Sequence, residues 1–333
     1  MTAERRAAII GLSGTRLTAD EATLLRVAQP LGVILFARNI DRPAQLRALT
    51  QSVRDILGDA TPILIDQEGG RVARLRPPDW PAFPPAAAFE GREAAAVHAN
   101  AALIGMECSA LGLDVVCAPC LDLRLPEAHG VIGDRAFSAD PREVARLGAA
   151  MLHGLQQAGC IPVIKHIPGH GRAMADSHLE LSRVTATREE LALDCLPFGA
   201  MAGQGAWAMT AHILYDALDA ALPATLSRAV IERVIRGAIG FDGFLVSDDI
   251  AMKALTGAPG DLARAAITAG CDGVLHCTGV LHQSAAALDA TPFLTDQAWA
   301  RLETSRMAMQ AARTMLDPAA LIAARDQALA DAA

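Results

Sequence analysis

The chain is nearly without lysine. Of its 29 basic residues only Lys165 and Lys253 are lysines, against 27 arginines. A basic position here is an arginine by default, so Lys165, at the end of an apolar run, asks for a specific reason. No basic run or basic face accompanies the net charge of −8, and nucleic acid is therefore not an expected partner. No apolar stretch approaches the ~18 residues that cross a bilayer, so no membrane partner is expected either. Met1-Thr2-Ala3-Glu4-Arg5-Arg6 leads into only a short apolar stretch before Gly11 and Ser13. That is a poor signal peptide, and the expected location is the cytoplasm. The seven cysteines form no disulfide framework; their odd number and apolar neighbours fit buried reduced thiols. Cys117-Ala118-Pro119-Cys120 has CxxC spacing without a second pair, and reads as packing. No GxGxxG or GxxxxGK[ST] follows an early strand, which weakens any nucleotide-binding reading. No cofactor and no metal are expected.

What the chain does have is an alternation of short apolar runs with helical patterns, and no low-complexity linker. The strand candidates are Ala8–Leu12, Val33–Phe36, Pro62–Asp66, Leu113–Ala118, Pro162–His166, Ala206–His212, Gly243–Asp248 and Gly273–Cys277. They are almost continuously apolar, as parallel strands covered on both faces must be. Asp41 is expected to cap a helix carrying Leu46, Leu49, Val53 and Ile56 on one face. Asp140-Pro141-Arg142-Glu143 combines an N-cap, a proline at the first helical position and an acid three residues after the cap. Glu93–Leu111 and Glu189–Met201 read as helices, as does Asp296–Met315, with Asp317-Pro318 opening a last one. Eight such strands predict an α/β fold: a single (β/α)₈ barrel domain over 1–333, with a helical C-terminal extension from about 296. A doubly wound open sheet is the competitor. The barrel is favoured because Asp66, Asp122, His166, His212 and Asp248 all stand at or just beyond strand C-termini, which barrel closure gathers around one mouth.

The densest cluster of chemistry is Lys165-His166-Ile167-Pro168-Gly169-His170-Gly171, followed by Asp176-Ser177-His178. A strand ending in a glycine-hinged loop crowded with titratable groups is a site for function. Asp176 hydrogen-bonded to one nitrogen of His178 would fix its tautomer and leave the other to move a proton. Leu245-Val246-Ser247-Asp248-Asp249 ends a second strand in charge. Adjacent strand residues face opposite ways, so Asp248 is assigned to the mouth and Asp249 to capping the segment Ile250–Leu255. Asp66, in Asp66-Gln67-Glu68-Gly69-Gly70-Arg71, offers a carboxylate to vicinal hydroxyls, and Arg74 and Arg135 offer planar donor forks.

These motifs resemble glycoside hydrolase family 3, in its bacterial β-N-acetylglucosaminidase branch. The stations run from Gly32-Val33-Ile34-Leu35-Phe36-Ala37-Arg38-Asn39 through Ile65-Asp66-Gln67-Glu68-Gly69-Gly70-Arg71-Val72, Ala118-Pro119-Cys120-Leu121-Asp122 and Gly133-Asp134-Arg135 to Gly270-Cys271-Asp272. The stretch Lys165–His178 is the most specific, followed by Gly240-Phe241-Asp242-Gly243 and Ser247-Asp248-Asp249. The resemblance implies Asp248 as nucleophile, His178 as general acid/base oriented by Asp176, and Asp66, Arg74, Arg135, Lys165, His166 and His212 as sugar-binding residues. The implied substrate is a terminal β-linked N-acetylglucosamine on anhydromuramyl cell-wall fragments, cleaved with retention through a covalent glycosyl-enzyme. Ile167 and Thr210 depart from the family's usual phenylalanine and proline, a matter of loop packing. Many relatives carry a second α/β domain that completes the site; here the barrel's own loops must build it. With aromatics at 4% of residues and one tyrosine, the chain suits removal of one terminal sugar better than tracking a polysaccharide.

Other readings of the same residues are a metal-dependent barrel hydrolase using His166, His212 and Asp248, a Schiff-base lyase using Lys165, a non-catalytic sugar sensor, and a phosphorolytic variant. The metal reading lacks the HxH expected of a first strand, since Ile9-Ile10-Gly11-Leu12-Ser13 offers no ligand. A monomer is the expectation, although no sequence feature fixes the oligomeric state.

Overall fold

The computed structural model describes residues 4–126, 130–174 and 180–330. Its centre is a closed barrel of parallel strands: β1 (Arg6–Gly11), β2 (Pro30–Leu35), β3 (Ile63–Ile65), β4 (Val115–Val116), β5 (Ile161–Ile167), β6 (Trp207–Thr210), β7 (Leu245–Asp249) and β8 (Gly273–His276). Each strand pairs with its neighbours in chain order, and β1 closes the ring by pairing with β8 through Ala8↔Val274 and Ile10↔His276. The open-sheet alternative is thereby excluded. All eight sequence-predicted strands are present, with ends shifted by up to three residues. Two further short strands, Ser182–Val184 and Ile213–Tyr215, pair in parallel outside the barrel; neither was expected from the sequence, because the first has too little apolar pattern to stand out.

The outer helices are α1 (Ala19–Ala28), α2 (Pro43–Leu57), α3 (Ala94–Ser109), α4 (Pro141–Gln157), α5 (Arg188–Met201), α6 (Arg228–Val230, continuing as a π-helical run Ile231–Ala238), α7 (Pro259–Ala269), α8 (Leu281–Ala290), α9 (Asp296–Ala312) and α10 (Pro318–Ala330). Their starts follow cap chemistry. Thr18 and Glu21 form a reciprocal capping box on α1, and Asp140 accepts from the Arg142 N–H at 2.9 Å on α4. Two expectations are corrected. Arg42, not Asp41, is the N-cap of α2, because Pro43 fixes the first helical turn and the Asp41 N–H instead donates to the Gln45 side chain. Ile250–Leu255 forms turns rather than a helix.

Two layers of apolar packing follow from strand alternation. Residues facing outward, such as Ile10, Val33, Ile65, Val116 and Ile164, join the helices in one continuous cluster. Residues facing inward, including Ile9, Leu64, Val115, Val163, Trp207, Phe244 and Val246, fill the barrel, where Leu294, Ala298 and Leu302 join them. Trp207 and Phe244 stack with ring centroids 4.6 Å apart. The inward parity continues to the C-terminal rim: Leu64 is followed by Asp66, Val163 by Lys165, and Val246 by Asp248. Strand period alone therefore aims these three polar side chains along the barrel axis. Among the described residues, no helix is long and apolar enough to cross a membrane.

Candidate active site

The rim encloses a cavity of ≈ 320 Å³ lined by side chains from β2, β5, β6, β7 and β8 and from the loops that follow β3 and β4. Asp66, Arg74, Arg135, Lys165, His166 and Asp248 all line it. Six of the sequence-predicted site residues are thus brought together. His212 is buried beside it and does not line it. Asp176 and His178 lie outside the described residues.

One wall is a chain of alternating charges. Arg74 Nη2 lies 3.0 Å from Asp66 Oδ2, and Lys165 Nζ lies 2.8 Å from Asp66 Oδ1. Lys165 Nζ also lies 2.6 Å from Glu68 Oε1. Arg135 closes the chain with a two-point bond to Glu68, Nε to Oε2 at 2.9 Å and Nη2 to Oε1 at 2.8 Å. Burial pushes both carboxyls toward the neutral form, but Lys165 and Arg74 outweigh it at Asp66, and Arg135 and Lys165 at Glu68, so both pKa values end well below the usual range. Burial disfavours the Lys165 ammonium, yet Asp66 and Glu68 hold its pKa above the free value. This is the opposite of what a Schiff-base lysine needs, a depressed pKa. Glu68 was not singled out as a site residue from the sequence; an acid two places beyond Asp66 was its signal.

Local backbone explains how these groups are held. The fully buried Gln67 side chain accepts from the N–H groups of Arg74 at 2.7 Å and Leu75 at 3.0 Å, and donates to Leu75 O at 3.1 Å. It staples the loop that presents Arg74. Gly69 sits at φ +103° with its backbone against Pro84, where a Cβ would lie 2.4 Å from the carbonyl oxygen. Only glycine suits that close turn. Arg74 and Arg38 both lie over the Phe36 ring, at 5.5 Å and 4.9 Å.

Asp122 is the second organiser. It is buried, and its Oδ2 accepts from His166 Nδ1 at 2.7 Å. Its Oδ1 accepts from the His170 N–H at 2.6 Å. A carboxylate only accepts, so His166 carries a proton on Nδ1. The ladder between β4 and β5 extends through a bridge from Cys120 to Lys165, which brings Asp122 alongside His166. A register shift in β5 between Lys165 and Ile167 lets Lys165 and His166 face one cavity although adjacent in sequence. Burial, with His166 nearby, lowers the His170 pKa to about 4.

Opposite the charge chain stands Asp248. Its Oδ1 accepts from the Asp249 N–H at 2.8 Å. Burial raises its pKa, but His212, His166, that N–H and Lys165 together bring it below the ordinary value. Asp249 also reaches the cavity, but its Oδ1 is taken by the N–H groups of Ala251 and Cys277, each at 3.0 Å, and burial raises its pKa. Its capping role is real, for a turn rather than a helix. His212 has both ring nitrogens engaged: Nδ1 with Thr225 Oγ1 at 2.7 Å, and Nε2 with the Asp249 carbonyl at 3.0 Å. The latter contact requires Nε2–H, and burial keeps the ring's pKa low. His212 is therefore a support behind Asp248. Thr210 shares this network, with its Oγ1 2.8 Å from Thr225 Oγ1.

The combination of an ionised carboxylate facing a wall of donors and acceptors suits displacement at a polyhydroxylated carbon centre. Comparison with known proteins agrees. Residues 4–310 match the Glycosyl hydrolase family 3 N terminal domain. A beta-hexosaminidase of Alkalilimnicola ehrlichii is 44% identical over 280 residues, covering 81% of this chain and 80% of that protein. The crystal structure of native NagZ from Neisseria gonorrhoeae superposes with a TM-score of 0.86 at 30% identity, covering 99% of this chain and 98% of that one. A glycoside hydrolase family 3 beta-N-acetylglucosaminidase from Paenibacillus sp. superposes with a TM-score of 0.80 at 33% identity; it covers 98% of this chain, which spans 62% of its length. With a family match over the whole barrel and a cavity built as described, the chain belongs to glycosyl hydrolase family 3 and is a glycoside hydrolase.

Proposed function

We propose that this chain is an exo-acting retaining β-N-acetylglucosaminidase that removes terminal β-linked N-acetylglucosamine, in the cytoplasm, from anhydromuramyl peptidoglycan fragments. The observation that carries this reading is Asp248: an ionised carboxylate at the end of β7, in the same cavity as the Arg74–Asp66–Lys165–Glu68–Arg135 chain. The names of the relatives supply the sugar. A cavity of ≈ 320 Å³ is at the lower end of ligand-pocket sizes, which supports a single terminal residue over an extended chain.

In the proposed reaction Asp248 attacks the anomeric carbon while His178, as imidazolium stabilised by Asp176, gives its proton to the departing oxygen. The C1–aglycone bond breaks and a glycosyl ester forms. Water then attacks C1, His178 takes the water's proton, and the ester bond to Asp248 breaks. Retaining enzymes usually place two carboxyl groups in these roles; a histidine, with a reference pKa of ~6.5, can serve near neutrality in both directions. The charge chain holds the sugar hydroxyls: carboxylate oxygens of Asp66 accept, and Arg74 and Lys165 donate.

Trapping tests this. Incubation with a 5-fluoro N-acetylglucosaminyl fluoride, followed by peptide mapping, is expected to find the sugar on Asp248. A label on Asp249 refutes the assignment, and so does turnover without any trapped enzyme. Product analysis with and without phosphate separates hydrolysis from phosphorolysis. Release of N-acetylglucosamine from anhydromuramyl fragments, compared with chitin oligomers, tests the leaving group.

A further inference from the structure

Tyr215 is the chain's one tyrosine. It is 1% exposed and has no part in the reaction above. Its hydroxyl donates to the Gly169 carbonyl at 2.7 Å, and burial pushes its pKa well above the ordinary value, so it stays a donor. Its backbone pairs with Val184 in the short sheet outside the barrel, where the Asp216 N–H also donates to the Val184 carbonyl at 3.0 Å. Gly169 and Val184 bracket Asp176 and His178 in the sequence. One residue therefore grips the chain on both sides of the acid/base pair, by side chain before it and by main chain after it.

Helix α5 adds ties on the leading side. Arg172 Nε donates to Asp194 Oδ2 at 2.7 Å, and Asp194 is 2% exposed. Its neighbour Cys195 donates from Sγ to the Pro168 carbonyl at 3.5 Å. Gly169 lies so close that a Cβ would stand 2.9 Å from the Asp194 Cβ, and a Cβ on Gly171 would stand 2.4 Å from the Leu123 carbonyl oxygen. We propose that Tyr215 is a positioning residue for His178, fixing where the segment that carries it leaves and rejoins the fold, with Arg172–Asp194 as the second tie. This rests on the role proposed above for His178. Proton transfer needs heavy atoms within about 2.6–3.2 Å, and a misplacement of about 1 Å can cost ~10²-fold in rate. Tyr215 does not line the cavity, so it reaches the reaction only through the segment it ties.

Tyr215→Phe deletes the hydroxyl and keeps the ring. The test compares kcat/KM for two substrates with the same sugar: a dinitrophenyl N-acetyl-β-glucosaminide, whose leaving group needs no proton, and the methyl glycoside, whose leaving group does. Both values report only steps up to cleavage. In Tyr215→Phe the methyl glycoside should lose roughly 10–100-fold and the dinitrophenyl glycoside no more than about threefold. Arg172→Gln should shift the ratio in the same direction, and it decides the matter if Tyr215→Phe does not fold; thermal unfolding checks both. On a His178→Ala background Tyr215→Phe should change the ratio no further. Equal losses on both substrates overturn the proposal, because partial unfolding or a displaced His166 would affect the shared sugar alike. An unchanged ratio overturns it too, as does a further shift on the His178→Ala background. His178→Ala alone separates the two claims: a changed ratio there beside an unchanged one in Tyr215→Phe refutes the positioning role only, whereas an unchanged ratio in His178→Ala removes the acid itself and the proposal with it.

Discussion

Lys165 Nζ lies 2.6 Å from Glu68 Oε1, with side-chain exposures of 2% and 5%. The contact joins the two halves of the site's charge chain. Replacing Lys165 with methionine leaves Glu68 to Arg135 and Asp66 to Arg74, each with one cation where it had two. Breaking a buried ion pair from one side costs about 3–5 kcal/mol, and the remaining arginines place this variant at the lower end, about 3 kcal/mol. Urea unfolding should report that loss. Steady-state kinetics should show a raised KM, because the donor at the centre of the wall is gone.

Asp248→Asn keeps the shape of the nucleophile and removes its charge. A loss of roughly 10⁴-fold or more in kcat is expected, as for other residues that carry the bond-forming step. The circular dichroism spectrum should be unchanged, since among the described residues a single backbone N–H is bonded to the carboxylate. Residual activity near that of the parent would remove Asp248 from the reaction.

His178→Ala separates proton donation from nucleophilic attack. An activated aryl glycoside leaves without a proton, so its glycosylation should survive far better than cleavage of a sugar leaving group. General acid catalysis sets the difference at about 10²–10⁴-fold. Pre-steady-state bursts on the two substrate types measure it, and equal losses on both would cancel the acid role.

Acid should destabilise the fold in two overlapping windows. His170 is held to a pKa of about 4 against an ordinary 6.5. Between those values the unfolded chain binds a proton that the native state refuses, so stability falls as pH drops through them. Glu68 is held to about 2 against 4.5, and it extends the same loss further into acid. Asp194 works the other way: burial raises it to about 6 from 3.8, so its native state gains protons first and gains stability on acidification. Asp194→Asn should therefore steepen the decline in urea midpoint between about 6 and 4. A parent chain with a flat profile over the His170 window would contradict this arrangement.

The barrel was readable because each strand is an apolar run buried on both faces, and because polar residues recur at strand ends. The rim positions of Asp66, Lys165 and Asp248 follow from period-two alternation alone. The pairing Ser182–Val184 with Ile213–Tyr215 was not readable, since it depends on contacts between loops. Glu68 was missed for a different reason. It lies beyond a strand end, where alternation no longer applies, and only the fold of the Gly69-Gly70 turn points it toward Lys165 and Arg135. The role of Asp122 likewise depends on a bridge between β4 and β5 that no local pattern announces. His212 reads as a cavity residue in sequence, but Thr225, from a distant turn, turns its ring to serve the backbone behind Asp248.

The stacked interior of Trp207, Phe244 and Val246 ends directly in Asp248, and that of Leu64 and Val163 ends in Asp66 and Lys165. No hinge or spacer separates the hydrophobic plug from the floor that grips the sugar. Heat should therefore erase ligand affinity and tertiary structure in a single step. Thinning the plug at Trp207 should lower the temperature at which both vanish, even though that ring never meets the carbohydrate.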